Sequence, residues 1–257
     1  MYGNQVTGAI ERVMAKRVDR VDLRWSSPPT LALSKTAMPA PQASIVYATL
    51  PGGTTLDQDA CGGNPFATAL IELSQRQALN LRQLLPALRK STIERSARHQ
   101  VPTWERLPSN RTWTFPMLPG TRAEKRIALV LIVSEYLSLA NPRLLGAAAD
   151  ERRIASMLAG HGFSVVQAVP PDRQALHGAL RSFAAKSKGF DVAVVYSTGH
   201  GVEHEGSTYL LPGDYPFLRG YGTTLLAQHA VPVDRIASAC KAKKVNLTFF
   251  AGCRTNT

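Results

Sequence analysis

The chain has 257 residues, of which 44% are hydrophobic and 19% are charged, so its composition excludes a disordered or collagen-like protein. No apolar run reaches the roughly 18 residues that a membrane-spanning helix needs. Residues 1–25 mix charges throughout and lack the apolar core of a signal peptide, so we expect a cytoplasmic protein with no membrane partner. A net charge of +12 could attract polyanions. The basic residues are scattered without interleaved aromatics, so we expect no nucleic-acid partner, although the charge leaves one open.

Three cysteines, Cys61, Cys240 and Cys253, are an odd number without C-x-x-C spacing. This pattern argues against a disulfide framework and against a structural zinc cluster. At least one thiol is therefore expected to be free.

The first half of the chain alternates less regularly than the second. Residues 1–42 are expected to form a leader that ends in a Pro/Ser-rich passage, and SIVYAT (44–49) is predicted to be a strand before the turn cluster at 50–64. Helices are predicted at 65–74 and 79–99, with Pro86 at a helix start or a kink. RTWTF (111–115) alternates like a short strand, and residues 116–126, with two prolines and a glycine, are the predicted linker.

A β-α-β rhythm follows the predicted linker. The continuous apolar run at 127–133 is typical of a strand covered on both faces. Further strands are predicted at 163–169, 191–196 and 245–250, and helices at 150–162, 171–189 and 233–244. Alternating strands and helices indicate an α/β fold with a mainly parallel sheet and right-handed crossovers.

Two reactive side chains follow predicted strands. His200 comes just after the strand at 191–196, and Cys253 comes just after the strand at 245–250. Functional groups of open α/β sheets gather at the carboxyl ends of parallel strands, so we expect the imidazole and the thiol on one edge. A cysteine beside a histidine base can act as a nucleophile, and the amides of Gly201 and Cys253 could stabilise an oxyanion.

Simpler interpretations stay open at this point. A single histidine in a turn is usually only a turn residue, and a cysteine after a strand is often a small buried hydrophobe. The segment HGVEH (200–204) also fits H-x-x-E-H, in which two histidines four residues apart bind zinc. That geometry requires a helix, which is disfavoured here because Gly199, Gly201 and Gly206 surround the segment.

The segments VVYSTGHGVEHEGSTYLLPGD (194–214) and VNLTFFAGCRTNT (245–257) resemble the caspase-like cysteine peptidases, the clan of metacaspases and bacterial caspase homologues. His200 precedes Cys253 by 53 positions, which agrees with the spacing known for caspases, about 50 residues. The segment around Asp150 is similar to the Asn-Asp-Ala helix start of the family. The resemblance thus implies a caspase-like three-layer fold.

The N-terminal half resembles the same family in swapped order. Residues 43–115 are similar to the small-subunit region, which in relatives normally follows the catalytic cysteine, and residues 127–257 are similar to the large-subunit region. The resemblance therefore implies a circular permutation, with residues 116–126 joining the two parts into one domain spanning 43–257. Exposed, neighbouring termini make such a permutation physically reasonable.

By this resemblance His200 is the base, Cys253 the nucleophile and Gly201 a donor to the oxyanion. Asp150 matches one of two acids that give metacaspases their preference for Arg or Lys, whereas Ala251 replaces the other. The resemblance implies a protein or peptide substrate and no metal or other cofactor, and it leaves calcium dependence open. The alternative is an inactive caspase-like scaffold that acts as a binding module.

Overall fold

A computed structural model describes residues 43–76, 78–106, 113–116, 124–138 and 143–256. The predicted leader and most of the predicted linker lie outside these ranges. The described residues belong to one compact unit that spans residues 39–257. No helix among them is both long and apolar enough to cross a bilayer.

The elements follow one another along the chain in two groups. The first group is β1 (Ser44–Tyr47), α1 (Pro65–Arg76), α2 (Leu81–Arg95) and β2 (Thr103–Glu105). The second begins with β3 (Arg126–Ile132), α3 (Leu145–Gly160), β4 (Phe163–Ala168), α4 (Arg173–Ser187) and β5 (Val192–Thr198). It continues with β6 (Gly201–His204), β7 (Ser207–Leu210), a 3₁₀ turn (Phe217–Arg219), α5 (Thr223–His229), β8 (Val231–Pro232), α6 (Val233–Ala237), β9 (Val245–Phe250) and β10 (Thr255–Asn256).

A six-stranded sheet in the order β2-β1-β9-β5-β3-β4 forms the centre of the fold. Every neighbouring pair is parallel except β1 with β2, which is antiparallel. The predicted α/β fold with a mainly parallel sheet flanked by helices is therefore confirmed. A second sheet, in the order β10-β6-β7-β8, consists of strands that all follow β5 along the chain.

The central strands are mostly apolar because both sheet faces are covered. All residues of β3, β5 and β9 are buried. Alternate residues point to opposite faces, so Val130 packs in a core with α1, α2 and α3, whereas Leu129 packs in a core with α4 and α6. The result is a three-layer structure whose strand ends are held by helices on both sides.

Several predictions differ from the structure, among them the helix predicted at 150–162, which begins at Leu145. The helix predicted at 233–244 is wrong beyond Ala237: the Ser187 hydroxyl donates to the Ala239 carbonyl and accepts from the Lys241 amide, and the Asn246 side chain then bonds Ala242 at the turn into β9. Of the strand predicted at 111–115, the described part has a single bridge, at Thr114. Pro86 lies inside α2, not at its start.

Candidate active site

The carboxyl ends of β5 and β9 lie side by side. The two strands are parallel, with Ser197 opposite Phe250, and the Ala251 amide donates to the Ser197 carbonyl at 2.8 Å. Both chains therefore leave the sheet at one edge, and the segments that carry His200 and Cys253 follow directly. The structure brings these two predicted residues to the same strand ends.

Glycines allow the two segments to touch. A Cβ atom on Gly201 would lie 2.4 Å from the carbonyl oxygen of Cys253, and one on Gly252 would lie 2.8 Å from the carbonyl oxygen of Gly199. Gly199 also has a φ of +151°, which L side chains rarely adopt. The glycines that were predicted to leave room for a substrate therefore also allow the two backbone segments to pack against each other.

His200 is packed between two aromatic rings. Its ring centroid lies 4.5 Å from that of Tyr136 and 5.7 Å from that of Phe217, and its amide donates to the Tyr136 hydroxyl at 2.6 Å. Burial lowers the pKa of the imidazole from 6.5 to about 4, against a small opposing effect of the Asp57 carboxylate. The imidazole is therefore neutral at physiological pH and can accept a proton.

The half-buried thiol of Cys253 lies against the loop after β1. The Thr55 amide donates to Sγ at 3.3 Å, and the Thr55 hydroxyl lies 3.4 Å from Sγ. The other two thiols differ: Cys61 is exposed, and Cys240 is buried so completely that its pKa rises to about 12. Cys253 is thus partly accessible beside polar groups of the loop after β1, whereas Cys240 is enclosed, so Cys253 is better placed to meet a substrate.

The loop that carries Thr55 is anchored to α3. The Asp57 carboxylate accepts hydrogen bonds from the amides of Gly146 (2.9 Å) and Ala147 (3.1 Å). Amides in the first turn of a helix have no acceptor within the helix, so the carboxylate satisfies two of them. The Leu56 amide donates to the Gln100 side chain at 3.1 Å. These bonds fix the loop at the thiol, so the N-terminal part of the chain contributes directly to the site.

Asp150 is completely buried at the inner face of α3. One carboxylate oxygen accepts from the Tyr196 hydroxyl (3.1 Å) and the Asn64 amide (3.2 Å), and the other pairs with Arg153 at 3.1 Å. Burial raises the pKa of Asp150 to about 7, although the Arg153 charge opposes this rise. The predicted substrate-binding acid therefore has an internal cation as its partner.

The amide of Gly201 points away from the β6–β7 hairpin. Gly201 lies opposite Leu210, while the Leu211 amide donates to the His200 carbonyl. This register makes the Gly201–Leu210 pair a non-hydrogen-bonded one, in which both amides face outward from the ladder. The Gly201 N–H is consequently oriented towards the side on which the Cys253 backbone lies.

The segment from His200 to His204 does not have the helical geometry that the zinc pattern requires. Residues 201–204 are strand β6, and His204 Nε2 lies 2.7 Å from the Thr223 hydroxyl. Glu203 forms an ion pair with Arg254, at 3.0 Å between Oε2 and Nε. Within the described ranges no group of three or more His, Cys, Asp or Glu side chains is placed to hold a metal.

Sequence reasoning missed several residues of this site. Tyr136 follows β3 as His200 follows β5, so its position after a strand could have been noticed. Thr55 lies in a loop and Phe217 in the short 3₁₀ turn, and neither sequence contains such a signal. Arg254 follows the thiol directly, is buried, and lies 4.0 Å above the Tyr47 ring, so it fixes the backbone on the far side of Cys253.

Comparison with known proteins agrees with this geometry. A family model described as the caspase domain matches residues 125–256, a little more than half of the chain, and both His200 and Cys253 lie within the match. No curated protein matches the chain. The matched region also contains β3, β4, β5 and β9, four of the five adjacent parallel strands of the central sheet. On this evidence the chain belongs to the caspase-domain family of cysteine peptidases.

Proposed function

We propose that this protein is a cysteine endopeptidase in which Cys253 is the nucleophile and His200 is the general base. The observation that carries the proposal is the contact between the segments that follow β5 and β9, where Gly201 and Cys253 touch through their backbones. This contact supports a shared site for one substrate carbonyl. The neutral state of the His200 imidazole supports its role as a base.

The chemistry follows from these groups. His200 takes the proton of the Cys253 thiol as sulfur attacks the substrate carbonyl, and the amides of Gly201 and Cys253 donate to the oxyanion. His200 then returns the proton to the leaving amine, and the C–N bond breaks to leave a thioester. Water, deprotonated by the same imidazole, hydrolyses the thioester and releases the second product.

We further propose that the domain is a circularly permuted, metacaspase-like form. Strands β1 and β2 and helices α1 and α2 precede the family match, yet they complete the sheet beside β9 and supply Thr55 to the thiol. This arrangement supports a small-subunit-like part placed first, at residues 43–115.

Asp150 supports a preference for substrates with Arg or Lys before the cut bond. Its carboxylate is buried behind the Gly63–Asn64 turn, on the same sheet face as Tyr196 of β5. A buried carboxylate requires a cationic partner because an unpaired charge is costly in such surroundings, and Arg153 fills this place in the free protein. Ala251 leaves this position without the second acid found in metacaspases, so Asp150 alone would provide the selectivity.

Cleavage of a peptide library by wild type and Cys253→Ala tests the proposal. Cys253→Ala should abolish cleavage, whereas Cys61→Ala, which removes an exposed thiol, should retain it. Iodoacetamide should alkylate Cys253 well before Cys240, and substrate should protect it. Equal cleavage by wild type and Cys253→Ala would refute the proposal. Peptide binding by wild type without cleavage would favour the alternative, an inactive caspase-like scaffold.

A further inference from the structure

The pair formed by Asp150 and Arg153 has a consequence for substrate selection. Asp150 has no exposed surface, whereas the Arg153 side chain is 27% exposed. The Tyr196 hydroxyl and the Asn64 amide hold Oδ2 from inside the protein, and Arg153 Nη1 holds Oδ1. The guanidinium of Arg153 therefore covers the carboxylate on its solvent side.

The guanidinium is held in a fitted position. Nη2 of Arg153 donates to the Thr68 hydroxyl at 2.9 Å. A Cβ atom on Gly63 would lie 1.9 Å from Arg153 Nη1 and 2.2 Å from Asp150 Oδ1. Only a glycine at this position lets the loop close over the ion pair, so the pair is covered by the same loop that carries Thr55 to the thiol.

A basic substrate side chain needs the position that Arg153 occupies. A second cation beside Arg153 would meet like-charge repulsion in a poorly solvated space. It would also find Oδ1 already engaged in a charge-assisted hydrogen bond. Binding of Arg or Lys at Asp150 thus requires Arg153 to move outward, and its partial exposure gives it a route to solvent.

From this geometry we infer that Arg153 is a specificity-determining residue that competes with the basic side chain of the substrate for Asp150. The inference rests on the proposed peptidase function. Arg153 lowers the preference for Arg substrates by occupying the acid in the free enzyme. The apparent affinity for a ligand is the intrinsic affinity multiplied by the fraction of molecules in the binding-competent state. If Arg153 occupies Asp150 in about 90% of molecules, the apparent affinity for an arginine substrate is about tenfold lower.

Two matched peptides, with arginine or with its neutral isostere citrulline before the cut bond, test the inference. In Arg153→Gln the ratio of kcat/KM for arginine over citrulline should rise about tenfold above that of wild type. Arg152→Gln removes the neighbouring exposed charge and should leave the ratio unchanged. In an Asp150→Asn background, Arg153→Gln should no longer raise the ratio, because the shared partner is gone.

A binding readout separates this inference from the peptidase proposal. The same peptides are titrated onto Cys253→Ala proteins, with and without Arg153→Gln, and the ratio of the two Kd values is measured. A rise in arginine selectivity supports the inference whether or not wild type cleaves the peptides. An unchanged or lower ratio overturns it, even if cleavage is normal. Arg153→Lys provides a second variant should Arg153→Gln not fold, with a smaller rise expected.

Discussion

Uncovering the His200 imidazole should move the acid limb of the activity profile. Burial beneath Tyr136 and Phe217 lowers the imidazole pKa from 6.5 to about 4. This change corresponds to about 3 kcal/mol of preference for the neutral form. Phe217→Ala removes one of the two covering rings and admits water, so the pKa of His200 should rise to about 5.

The assay is kcat/KM as a function of pH, which reports the ionisation of the free enzyme. A base must be neutral to act, so activity is lost as pH falls through the pKa of His200. At pH 4.5 wild type should retain about three quarters of its plateau, and Phe217→Ala about one quarter. Phe190→Ala, a similarly half-buried ring beside the opposite end of β5, should behave as wild type.

An NMR titration of the His200 imidazole in Cys253→Ala gives the same pKa without turnover. A wild-type acid limb near the ordinary histidine value of about 6.5 would refute the burial argument. So would a Phe217→Ala profile that coincides with that of wild type. A shift of equal size in Phe190→Ala would assign the effect to general loosening of the fold.

Three further predictions concern packing and buried charge. Gly201→Ala places a Cβ atom 2.4 Å from the carbonyl oxygen of the proposed nucleophile and should lower kcat/KM by at least about tenfold, whereas Gly178→Ala, with open space around it, should not. Glu203→Gln leaves the buried Arg254 cation without its partner and should lower the free energy of unfolding by about 3 kcal/mol, measured with denaturant; a loss below about 0.5 kcal/mol would contradict a buried pair. Asp150 has its pKa raised by burial to about 7, so its contribution to stability is full below about pH 4 and is lost as pH rises through 7. The unfolding free energy of wild type relative to Asp150→Asn should therefore fall between pH 5 and pH 8, and a rise would contradict the burial effect.

Much of the sheet could be predicted because its sequence signal is local. Continuous apolar runs mark β3 and β5, since a strand covered on both faces needs no polar alternation, and β9 departs from this pattern only at Asn246 and Thr248. The expectation that His200 and Cys253 share one edge followed from parallel pairing alone. The end of α6 was missed, because the Ser187 hydroxyl of α4, more than 50 residues away in sequence, bonds the Ala239 carbonyl and the Lys241 amide just beyond it.

The surroundings of the two proposed catalytic residues could not be predicted. Thr55 lies 198 residues before Cys253 in sequence, in a turn cluster whose composition indicates only a loop. Phe217 reaches His200 from the short 3₁₀ turn after the hairpin. Contacts of this kind depend on how separate elements pack, and periodicity within one element contains no information about them.

The amino-acid sequence by itself determined the α/β layers and the placement of an imidazole and a thiol after two strands, because hydrophobic periodicity and chain direction are local properties. Only the tertiary structure decided that the His200 imidazole is desolvated and that the Asp150–Arg153 pair, three residues apart on α3, is buried against Tyr196 and Asn64. Both outcomes depend on burial by distant segments, which arises when the loop after β1, helix α3 and the ends of β5 and β9 pack together.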